Sequence, residues 1–97
     1  MEFTERRYSV LLVSSSPKFN ESMLVLLPES RFYPVAAVSD VSGARRRLLE
    51  GKYDIVIINA PLPDDFGTRL ALNICDNSGT AVLLFVKAEH YPDINGR

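Results

Sequence analysis

Residues 54–59 read Asp54-Ile55-Val56-Ile57-Ile58-Asn59. Four β-favouring aliphatics in a row, Ile55 to Ile58, predict a strand with cover on both faces. Gly51-Lys52-Tyr53 leads into it, and a turn-rich loop, Ala60-Pro61-Leu62-Pro63-Asp64-Asp65-Phe66-Gly67, leads out. Such a doubly covered strand belongs in a parallel sheet, and the flanking sequence supplies companions. Tyr8 to Val13 (YSVLLV) and Ala81 to Val86 (AVLLFV) are short apolar runs of the same kind. Phe32 to Val38 (FYPVAAV) is a fourth, and Pro34 inside it removes a ladder donor, so it is expected at an edge or in a bulge.

The segments between these runs read as helices. Ser14-Ser15-Ser16-Pro17 supplies capping serines and a first-turn proline. The helix from Pro17 to Leu27 carries an apolar stripe of Phe19, Met23 and Leu26 or Leu27, and Pro28 stops it. Ser39 or Asp40 caps a second helix with Val41, Ala44 and Leu48 on one face, ended by Gly51. A third, Thr68 to Cys75, buries Leu70, Ala71 and Ile74 before the turn Asn77-Ser78-Gly79. Strand and helix thus alternate three times before a last strand, which predicts an α/β, doubly wound parallel sheet in a single domain spanning 1–97. Sheets of this kind bind ligands at the carboxyl ends of their strands. The positions to inspect are therefore Ser14 to Ser16, Ser39-Asp40, Asn59 to Leu62, and Val86 to Glu89.

The bulk properties narrow the function. Of 97 residues, 46% are hydrophobic and 24% charged, which fits one small globular domain. Eleven basic residues against twelve acidic give a net charge of −1, so no nucleic-acid contact by this segment is expected. Arg45-Arg46-Arg47 falls on a helix, where neighbours point in different directions, and reads as a solvated face. The lone Cys75 is expected as a small buried hydrophobe, and it suits a reducing cytoplasm. No apolar run reaches the ~18 residues of a membrane span, so no membrane role is expected. There is no nucleophile–base pair, metal cluster or dinucleotide fingerprint, so neither an enzyme nor a cofactor is expected. The acid pair Asp64-Asp65 reads as a helix cap, not as an acid/base couple.

Taken together, VSSSP after the first strand, DIVIIN, the loop NAPLPDDFG and AVLLFVKAE resemble the receiver domain of bacterial response regulators, over essentially the whole chain. The resemblance implies a flavodoxin-like fold, here incomplete at the C-terminus and lacking the fifth strand and last helix. It also marks where the family's chemistry is missing. Asn59 matches the phosphoryl-accepting aspartate, and an amide is not a useful nucleophile. Ser14 and Ser15 match the two acids that help hold Mg²⁺, and hydroxyls alone bind that ion poorly. Val86 matches the hydroxyl residue that senses the phosphoryl group and cannot make its hydrogen bond. With Lys87 beside it, this is a degenerate phospho-acceptor pocket.

The resemblance implies a phosphorylation-independent regulatory module that acts through protein contacts, on a partner or on its own C-terminal output domain. Ala88-Glu89-His90-Tyr91 is similar to the same stretch in receivers attached to ANTAR-type RNA-binding antiterminators. An exposed edge after the fourth strand leads us to expect a homodimer. The alternative is an anion- or small-ligand-sensing pocket built from Ser14, Ser15, Ser16 and Lys87, since a helix N-terminus favours negative charge.

Overall fold

The computed structural model describes residues 6–76 and 79–86, so the readings that fall on Lys87 and on Ala88 to Tyr91 lie outside the described residues. Seven elements follow one another: β1 (Tyr8–Val13), α1 (Pro17–Leu26), β2 (Phe32–Val38), α2 (Val41–Glu50), β3 (Ile55–Ala60), α3 (Thr68–Asp76) and β4 (Ala81–Val86). The strands form one sheet in the order β2-β1-β3-β4, and every neighbouring pair is parallel.

The strand order dictates which face each helix covers. The chain steps from β1 outward to β2, then returns across β1 to β3 and continues to β4. Parallel crossovers keep one hand, so a step in one direction puts its helix on one face and a step in the other direction puts it on the opposite face. Accordingly α1 lies alone on one side. There Met23 packs with Val10, Leu12 and Ile57, with Phe19 and Leu27 alongside. The other side holds α2 and α3, whose Val41, Ala44, Leu70, Ala71 and Ile74 pack on Leu11, Val13, Val56 and Ile58. Successive residues of β1 and β3 thus feed opposite cores, and this is the physical content of their unbroken apolar runs.

Pro34 sits where a strand tolerates it. β2 is an edge strand, and its register slips so that Tyr8 faces Phe32 while Val10 faces Val35, a bulge that contains Tyr33 and Pro34. On α1 the stripe resolves to Phe19, Met23 and Leu27, while Leu26 is 66% exposed. Asp40 caps α2 by accepting the Gly43 N–H at 2.7 Å. Gly51 ends that helix with extended backbone (φ −169°) rather than a left-handed turn.

Two expectations need correction. Asp54 stands outside β3, which runs one residue later than expected and takes in Ala60. Its carboxylate instead accepts from the Ser9 N–H (2.9 Å), the Ser9 hydroxyl (3.2 Å) and Arg6 (2.8 Å), latching β1 to β3 at their amino ends. The Ser9 backbone donor, above all, holds the Asp54 carboxyl below its usual range. Cys75 is exposed, not buried. The buried stripe of α3 is Leu70, Ala71 and Ile74, and one further step of about 100° past Ile74 carries Cys75 out of it.

Candidate functional site

The sheet reverses its winding between β1 and β3, and the crevice at their carboxyl ends is where this architecture places ligands. Val13 ends β1, and the next residue, Ser14, is 2% exposed. By strand alternation Ser14 and Asn59 both fall on the α1 side of the sheet. They meet there: the Asn59 Nδ2 donates to the Ser14 Oγ at 3.3 Å. The same Oγ accepts the Ser16 N–H at 3.0 Å, bending the chain into α1. Ser16 is the N-cap, its Oγ accepting the Phe19 N–H at 3.1 Å, with Pro17 in the first turn.

Of the expected pocket, then, Ser14, Ser16 and Asn59 form one hydrogen-bonded cluster, while Ser15 points outward and is exposed. Val86 stands apart by parity. Asn59 is in register with Phe85, and Val86 is in register with Ala60, so Val86 faces the α2 and α3 side together with Val82 and Leu84. On the α1 side Phe85 instead meets Phe19 edge to face, ring centres 5.4 Å apart. Lys87 lies outside the described residues.

Carboxylates do gather at this end of the sheet, but they are committed elsewhere. Asp40 caps α2. Asp64, expected to cap the helix it precedes, reaches back instead to α2, accepting the Val41 N–H at 2.9 Å and the Ser42 N–H at 3.0 Å. The Val41 donor, seconded by Ser42, lowers its carboxyl below the ordinary value, as a helix N-terminus should. This contact clamps the β3–α3 loop over α2. Gly67 closes the loop with φ +119°, a conformation side chains rarely adopt, and a Cβ there would come within 3.2 Å of Ile58. Among the described residues no group of three His, Cys, Asp or Glu side chains is placed to hold a metal ion.

The chemistry open to such a cluster is narrow. An amide and two hydroxyls, with each hydroxyl accepting a backbone N–H, give a neutral, internally bonded strand end without a carboxylate nucleophile. The Asp64 clamp and the Asp54 latch were missed by sequence reasoning. Neither contact is local, as the partners are 23 and 45 residues apart. No helix among the described residues is long and apolar enough to cross a membrane. No family model, no curated protein and no solved structure matches this chain.

Proposed function

We propose that this chain is a receiver-like signalling module of flavodoxin-like fold that works without phosphorylation, a binding domain and not a catalyst. One observation carries the reading. At the β1–β3 switch point, where the receiver pattern needs an ionised aspartate and metal acids, the Asn59 amide is tied to the buried Ser14 hydroxyl. The all-parallel order β2-β1-β3-β4 is compatible with a flavodoxin-like arrangement. Output then passes through contacts with a protein partner or a C-terminal output domain, in control of transcription or antitermination.

Self-association belongs to the same proposal. Among the described residues no strand pairs with the outer edge of β4, its sequence AVLLFV has neither proline nor charge, and Leu83 and Phe85 are 47% and 41% exposed. Edges so unprotected pair with other strands, and a second copy brings a matching one.

The deciding experiment is incubation with acetyl phosphate and Mg²⁺, followed by intact-mass spectrometry. The chain stays unmodified; a stable acyl-phosphate adduct overturns the proposal. Asn59→Asp alone also stays unmodified, because Ser14 and Ser15 still stand where the metal acids are needed.

A further inference from the structure

On the opposite side of the sheet from α1, α2 and α3 leave an apolar groove between them. Two cavities, of about 390 and 320 Å³, share Leu48, Leu49 and Ile74 and so form one continuous cleft. One end is bounded by Arg45 and Leu70, the other by Lys52 and Tyr53. Leu49 is 89% exposed at its rim. A lone exposed leucine needs no explanation. Here, however, Arg45, Leu48 and Leu49 follow the i, i+3, i+4 spacing of one face of α2, and Lys52 follows just past the end of that helix.

The charges at this cleft have one sign. Among the described residues both ionisable lining groups apart from Tyr53 are cations, and no carboxylate lines either cavity. Their positions are supported on both sides. Arg45 donates across the groove to the Asn73 Oδ1 at 3.1 Å. The Lys52 ammonium lies over the turn before β4, 3.2 Å from where a Cβ on Gly79 would stand. The two cations thus stand at opposite ends of the cleft, Arg45 on α2 and Lys52 beyond its Gly51 cap.

We infer that this groove docks an acidic amphipathic helix of a partner protein. The ligand sets leucine-type side chains against Leu48 and Leu49 and carries carboxylates on either side of them, complementary to Arg45 and Lys52 at the two ends of the cleft. Helix-in-groove binding of this type takes its affinity from the apolar anchors and its selectivity from the flanking charge. A second copy is a poor occupant, because a two-fold interface across this groove would bring the Arg45 and Lys52 cations of one copy to those of the other. The inference rests on the proposed docking role but not on the chemistry at Asn59.

The test is an NMR titration of the full chain with a synthetic helical peptide of about four turns. It bears Glu at i and i+7 and Leu at i+3 and i+4 in an Ala/Gln background; the control peptide has Lys for Glu. The acidic peptide shifts amides of α2 and α3 and binds about ten-fold more tightly than the control, roughly 1.4 kcal/mol. Leu49→Ser, at a site too exposed to unfold the domain, costs about ten-fold. The double variant Arg45→Glu/Lys52→Glu reverses the peptide preference. Shifts centred on β4, equal affinity for both peptides, absence of binding at millimolar peptide, or a groove buried by self-association each overturn the inference. An RNA oligonucleotide that shifts the same amides more strongly than the acidic peptide overturns it too. An acetyl-phosphate adduct would sink the proposed function while leaving this titration intact, so the two failures are distinguishable.

Discussion

Replacing Ser14 by alanine tests whether the cluster at the strand ends is a structural lock. Ser14 is 2% exposed, and its hydroxyl serves two donors, the Asn59 Nδ2 and the Ser16 N–H. Its loss orphans both, and a buried donor without a partner costs about 1–3 kcal/mol. Asn59 and Ser16 are each only half-buried, so water recovers part of that loss. We therefore expect a net destabilisation of about 1–2 kcal/mol for Ser14→Ala. In a domain of this size each 1 kcal/mol moves the midpoint by about 4–8 °C, so Tm falls by roughly 5–15 °C. The neighbouring Ser15→Ala is the control, since its side chain is exposed and its effect stays within about 0.5 kcal/mol. Thermal and urea melts followed by circular dichroism read both. A double-mutant cycle with Asn59→Ala isolates the amide–hydroxyl bond, with an expected coupling of about 0.5–1.5 kcal/mol. Equal effects of the Ser14 and Ser15 variants, or a coupling of zero, would refute the reasoning.

Three further outcomes follow from the same geometry. Asp54 and Asp64 both have lowered carboxyl pKa values, so their stabilisation is present above the ordinary carboxylate range and is lost as pH falls from about 5 through their folded values. Tm therefore drops on acidification, and Asp54→Asn or Asp64→Asn flattens that pH dependence. Millimolar phosphate leaves Tm unchanged, because the Ser16 and Phe19 N–H groups that would face an anion already donate to the Ser14 and Ser16 hydroxyls; a rise on titration would instead favour an anion-sensing pocket. Leu83→Lys/Phe85→Lys places charge on the open β4 edge and yields a monomer by light scattering, whereas a dimer that survives it uses another surface.

The elements were legible because each local signal agreed with the others. Ile55 to Ile58 could belong only to a doubly covered strand, Pro34 marked the edge, and Asp40 marked a helix start. Cys75 went wrong for a simple reason. Residue type predicts burial on average, but the angular width of the α3 stripe decides each position, and Cys75 falls past its edge. The site was half legible. That Ser14 and Asn59 share the crevice follows from topology, but that they bond to each other depends on both falling on the α1 side. Val86 shows the limit most clearly. Its place at the end of β4 can be read from sequence, yet its facing depends on the register with Ala60, and a one-residue slip would turn it over.

The fate of the acids gives the coherent account of this strand end. A receiver pattern concentrates carboxylates between the first and third strands, where mutual repulsion has to be offset by a bound cation. In this chain the acids near the sheet's carboxyl edge face a different positive partner, the N-terminus of α2. Asp40 satisfies its Gly43 N–H, and Asp64 its Val41 and Ser42 N–H groups. The β3–α3 loop is thereby held by a helix dipole, with no metal ion required for its position. The crevice itself is left to neutral hydrogen bonds that serve a single conformation. Among the described residues a strand end built in this way has no charge to gain or lose, so the proposed docking role falls to the outer surfaces. The apolar groove between α2 and α3 and the bare edge of β4 are two such surfaces, with Leu49, Leu83 and Phe85 exposed on them.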